Sequence, residues 1–153
     1  MDFAQRVRLA IYEMTVADGR VPSFLDVAAA RNLNSGEVRA AYRALADAHI
    51  IVLKPGSTDV WSAPPFSAVE TPFLVSADPH APSSGVPKRW YAPCAWDAFG
   101  IPAVVKQDIS FEARCPESGT LLRCAVRSGI ATGSGIIHLK VPARYFWDDI
   151  FYT

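Results

Sequence analysis

The chain has 153 residues, 50% hydrophobic and 20% charged, enough for one globular domain or two small ones sharing a core. Fifteen basic residues balance fifteen acidic ones, so no net field draws the protein to nucleic acid or to an anionic membrane. The N-terminus lacks a secretory pattern, no apolar run is long enough to span a membrane, and the three cysteines are an odd number; reduced thiols in a cytoplasm are the expectation.

Residues 2–16 read as an amphipathic helix, with Phe3, Val7, Ile11 and Met14 on one stripe and Arg6, Arg8 and Glu13 off it. Gly19 and Pro22 end the pattern. Ser23-Phe24-Leu25-Asp26 has nearly the spacing of a capping box and opens a second helix that runs on through Val27 to Ala30. Asn34-Ser35-Gly36-Glu37 opens a third, whose Val38, Ala41, Tyr42 and Leu45 share a face. Ile50 to Leu53 and Val60 to Ser62 flank a turn at 54–59 and read as a hairpin.

Three helices and a hairpin follow the order of a winged helix. Arg39 and Arg43 lie one turn apart on the third helix, where a DNA reader carries its base contacts. Residues 1–53 nevertheless hold six arginines against six carboxylates, which is not the basic footprint of a DNA-binding module. A structural use, without a nucleic-acid partner, is expected.

Residues 63–90 are rich in proline and large apolar groups. They read as a belt lying over a surface and burying its aromatics, with a loop from Asp78 to Gly85. Pro93 then leads into a short helix that starts at Cys94 and is cut by Gly100 and Pro102. Strands are expected from Val104 to Ala113, from Thr120 to Val126 and from Ile136 to Val141, with a second short helix from Pro142. His138, inside the last of these strands, is expected as a packed core residue. The class is therefore α+β: a winged-helix-like module over 1–62, a Pro-rich connecting belt over 63–90, and an α+β domain with a small antiparallel sheet over 91–153.

Chemistry concentrates at Tyr91-Ala92-Pro93-Cys94-Ala95-Trp96-Asp97-Ala98-Phe99-Gly100-Ile101-Pro102. Cys94 and Asp97 stand at i and i+3, on one helix face. A cysteine at a helix N-terminus faces unpaired N–H groups and the positive end of the dipole, which predicts a lowered thiol pKa, although Asp97 pushes the other way, and makes Cys94 the expected most reactive thiol. Asp97, beside a thiolate, is expected to have a raised pKa and to carry a proton near neutrality. The same pattern also suits a plain buried cysteine and an aspartate that complements the dipole.

Three stretches give the chain a resemblance to the alkylmercury (organomercurial) lyase family. They are Ala63-Pro64-Pro65-Phe66-Ser67-Ala68-Val69 with Thr71-Pro72-Phe73, then Tyr91 to Pro102, then Pro142-Ala143-Arg144 with Phe146-Trp147-Asp148-Asp149. The resemblance implies protonolysis of carbon–mercury bonds without an added metal or organic cofactor. It implies Cys94 as the ligand of the substrate's mercury and Asp97 as the proton donor, with Cys115 in a structural role. Cys124 matches no catalytic position. The family's second catalytic cysteine follows the Phe-Trp-Asp-Asp segment by a few residues, and the chain ends at Thr153, so weak or lost turnover is expected. The implied partner is an organomercurial or another thiophilic small molecule. The alternative is a non-catalytic module on the same fold that responds to a metal or small molecule.

Overall fold

The structure, a computed structural model, describes residues 1–78 and 87–151. The Asp78–Gly85 loop therefore lies, past Asp78, outside the described residues, and His80 with it. The architecture is α+β: three helices, a three-stranded sheet, then a five-stranded antiparallel sheet with one further helix packed on it.

The helices form where their caps place them. Helix α1 (Phe3–Asp18) begins with the Asp2 carboxylate accepting from Gln5 N–H at 2.8 Å and ends at Gly19, whose φ of 77° favours glycine. Helix α2 (Phe24–Arg31) carries a complete capping box between Ser23 and Asp26. Helix α3 (Ser35–Asp47) is capped by Asn34 and buries Val38, Ala41, Tyr42 and Leu45, the face its spacing predicts. Arg39 on α3 lies over the Phe24 ring, 4.6 Å from its centroid, so this guanidinium also packs within the helical module.

Strands β1 (Val52–Leu53), β2 (Val60–Ala63) and β3 (Phe66–Ser67) make the small sheet in that order. The larger sheet runs β5-β4-β6-β7-β8, all antiparallel: β4 (Leu74–Ala77), β5 (Arg89–Tyr91), β6 (Ile109–Arg114), β7 (Leu121–Arg127) and β8 (Ile130–Thr132). Helix α4 (Ala95–Val105) lies between β5 and β6 in sequence. Among the described residues no helix is long and apolar enough to cross a membrane.

Two devices dock α1 on the sheet. The indole Nε1–H of Trp90, in β5, donates to Thr15 O at 3.0 Å. Gly19 meets Arg89 so closely that a Cβ would sit 2.8 Å from its carbonyl oxygen, which only glycine allows. One core then runs from Val7 and Ile11 through Phe66 and Trp90 to Ile101 and Ile109. Burying side chains of this size contributes roughly 1.5–3 kcal/mol each.

Four expectations need correction. The stretch 63–90 buries Phe66 and Trp90 as expected, but it is no strand-free belt: it supplies β3, β4 and most of β5, whose backbone groups pair in the sheets. Helix α4 passes through Gly100 and Pro102 to Val105. Burial of Ile101 and Val105 holds the last turn despite the proline, and Lys106 at φ 54° closes it, so Val104 and Val105 are helical and the next strand starts at Ile109. The strand expected at 136–141 does not form. The partner of β7 is β8 at Ile130–Thr132, after a tight turn at Ser128-Gly129, and Ile136 stands 95% exposed. His138 is exposed rather than packed in a core. The C-terminal segment forms a single 3-10 turn at Ala143–Tyr145. Beyond it, Trp147 stacks on His49 at 4.1 Å between ring centroids, and Phe151 meets Trp61 edge-on at 5.0 Å.

Candidate active site

Cys94 is placed by the chain that precedes it. The Thr71 hydroxyl donates to Ala92 O at 2.7 Å and accepts from Phe73 N–H at 3.2 Å, while Ala92 N–H donates to Phe73 O at 2.9 Å. These bonds fasten the segment leaving β5 two residues before Cys94. Thr71 is a positioning residue that sequence spacing does not reveal, since its partner lies more than twenty residues away in the chain. Cys94 itself is the N-cap of α4, in extended conformation, with its carbonyl accepting from Ala98 N–H at 3.0 Å.

The pair forms as its spacing predicts. The Cys94 thiol donates to Asp97 Oδ2 at 3.1 Å, and Asp97 N–H points back at Cys94 Sγ at 3.5 Å. Both residues are half-buried. On the inner side Ala98 and Ile101 are fully buried and anchor the helix, while Trp96 stands 67% exposed.

The electrostatics contradict one expectation and support another. Burial pushes the Cys94 thiol up to about 11, and the Asp97 charge adds to the rise; the N–H groups of Asp97 and Trp96 pull the other way and lose. The predicted lowering at the helix start is overturned, because desolvation of the thiolate outweighs two amide dipoles, and with it goes the expectation that Cys94 is the most reactive thiol, since Cys115 is lowered instead. The Asp97 carboxyl is raised as expected, although the cause is burial, partly offset by the thiol hydrogen bond, and not a like charge. The resting pair is a thiol donating to a carboxylate.

The other two cysteines lie elsewhere on the sheet. Cys115 opens the turn between β6 and β7, and Cys124 sits in mid-β7 opposite Phe111. All three cysteines are free thiols. Among the described residues no group of three or more His, Cys, Asp or Glu side chains gathers to hold a metal ion. An open groove of about 430 Å³ borders α4 near Lys106, floored by Phe99, Pro102 and Val126, but neither Cys94 nor Asp97 lines it.

Comparison with known proteins decides the family. The model of the family described as MerB, alkylmercury lyase, matches residues 66–149. The chain belongs to the alkylmercury lyase family. The matched stretch starts on β3, includes Cys94 and Asp97, and ends within the Phe146-Trp147-Asp148-Asp149 segment. Among solved structures, the mercury-bound form of MerB2 superimposes with a TM-score of 0.62 at 17% identity, over 86% of this chain. That likeness concerns the fold. The chain spans 59% of the length of that MerB2 chain. No curated protein sequence matches the chain.

Proposed function

We propose that the protein is a carbon–mercury lyase in which Cys94 binds the substrate's mercury and Asp97 delivers the proton. The observation that carries this is the 3.1 Å hydrogen bond from Cys94 to Asp97 at the start of α4, inside a chain of the alkylmercury lyase family. Mercury is soft and prefers sulfur to oxygen or nitrogen. When an organomercury cation takes the Cys94 sulfur, the thiol proton passes along the existing bond to Asp97. Burial raises the carboxyl pKa, so the proton can be held there. The carbon–mercury bond then breaks, its electron pair taking that proton to give a carbon–hydrogen bond. Hg(II) stays on sulfur, and Asp97 returns to carboxylate. One proton thus serves both steps, and an external thiol removes the metal.

Turnover by these 153 residues is slow in this reading, because Cys94 is one thiolate and metal activation grows with thiolate ligation. The neutral helical module, 1–62 in winged-helix order, acts as frame rather than DNA reader. The test is incubation with phenylmercury and excess thiol, measuring benzene. Slow, stoichiometry-exceeding release is expected. Absence of any benzene with mercurial held on Cys94 would favour the non-catalytic binding module instead.

A further inference from the structure

We infer that Tyr12 of α1 is a positioning residue that sets helix α4, and with it the Cys94–Asp97 pair, through the Pro64-Pro65 turn. The consequence for turnover rests on the lyase reading above; the geometry does not. The Tyr12 hydroxyl donates to Pro64 O at 2.8 Å. The next residue, Pro65, faces Gly100 on α4: a Cβ added at Gly100 would stand 3.5 Å from Pro65 Cβ, so the two are separated by about the width of a methyl group. Gly100 lies one turn after Asp97, at i+3. A path thus runs from the phenol through the two prolines to β3, which follows them and packs against the helix that carries the pair. The ring is itself fixed, 6.3 Å from the Phe66 ring, which in turn lies 6.5 Å from Trp90.

Tyr12 also lies near enough to Asp97 to feel its charge. Burial raises its phenol, the Arg8 guanidinium beside it lowers it, and the Asp97 charge raises it further. The phenol therefore stays protonated at neutral pH and keeps donating to Pro64. Arg8 lies 5.9 Å from the Tyr12 ring centroid.

The fold supplies its own control. Tyr42 of α3 donates to Pro22 O at 3.1 Å, the same tyrosine-to-proline bond, buried in the helical module and without a link to α4. The experiment compares Tyr12→Phe and Tyr42→Phe with the parent chain. Alkylation of each cysteine by iodoacetamide is followed by peptide mass spectrometry, and benzene release from phenylmercury is resolved into kcat and KM. Tyr12→Phe is expected to speed Cys94 several-fold, leaving Cys115 and Cys124 unchanged, and to lower kcat roughly tenfold with KM unaltered, since small misplacement of reacting groups is costly. Tyr42→Phe should do neither.

Equal Cys94 rates in Tyr12→Phe, Tyr42→Phe and the parent overturn the inference. So does a rise in all three cysteines together, which marks general loosening. If the parent releases no benzene, the lyase reading fails, and the Cys94 rates still decide the role of Tyr12.

Discussion

Two turns of the molecule begin on a cysteine and offer its sulfur backbone N–H groups, and they move the thiol in opposite directions. At the start of α4, Cys94 is half-buried and has an acceptor, the Asp97 carboxylate, three residues on; the thiol is pushed up to about 11. In the β6–β7 turn, the side chain three residues after Cys115 is the Ser118 hydroxyl, which with the N–H groups of Ser118 and Glu117 favours the thiolate; the thiol is lowered. Similar spacing thus gives opposite chemistry. The polarity of the i+3 side chain and access of water decide whether thiol or thiolate is favoured. A site that must take a metal cation and keep the displaced proton is served by the first arrangement. A site that reacts readily with ordinary electrophiles is served by the second.

The largest expected effect falls on mercurial binding. Cys94→Ser removes the soft ligand and should abolish stoichiometric binding of phenylmercury at α4, read by mass spectrometry with Cys115 and Cys124 already blocked; retained binding would break the assignment. Asp97→Asn should spare that binding but cut benzene release on the order of 100-fold or more, the usual worth of a positioned proton donor.

The contrast sharpens with pH. At pH 7 Cys115 should alkylate faster than Cys94 by roughly tenfold or more: the rise of Cys94 from 9.0 to about 11 alone costs ~100-fold in thiolate, the greater nucleophilicity of the more basic sulfur recovers about half of that on a logarithmic scale, and the lowering at Cys115 widens the gap. The sign follows from the directions: a raised thiol gains thiolate only as pH climbs towards 11, so the Cys94 rate keeps rising where the Cys115 rate has levelled off. Equal pH profiles for the two thiols would erase the distinction. The smallest effect is expected from Ser118→Ala, which removes the main cause of the lowering at Cys115. It should move that profile upward and leave Cys94 untouched.

Much of the frame is legible from local patterns. Asp2, Ser23 and Asn34 cap their helices as side chains with an oxygen near the backbone do, and Val38, Ala41, Tyr42 and Leu45 fall on one face by period alone. The Cys94–Asp97 pair is likewise local, three residues apart on one helix. What local pattern misreads is the length of α4 and the partner of β7. Pro102 signals a stop, yet Ile101 and Val105 gain more from burial than the helix loses at one missing N–H. Ile136 to Val141 has strand composition, but Gly129 lets the chain turn back sooner and Ile130–Thr132 takes the edge of β7 first.

Sequence by itself determined the helix starts, the α+β order and the pairing of Cys94 with Asp97, because each depends on neighbours within a turn or two of the chain. Only the tertiary structure decided how reactive that pair is. Desolvation of Cys94 and Asp97 comes from the layers packed around α4, and the bonds that aim it, from Thr71 to Ala92 and from Tyr12 to Pro64, join residues far apart in the chain. A pKa is a free-energy difference between two charge states in a given surrounding, and that surrounding exists only once the chain has folded.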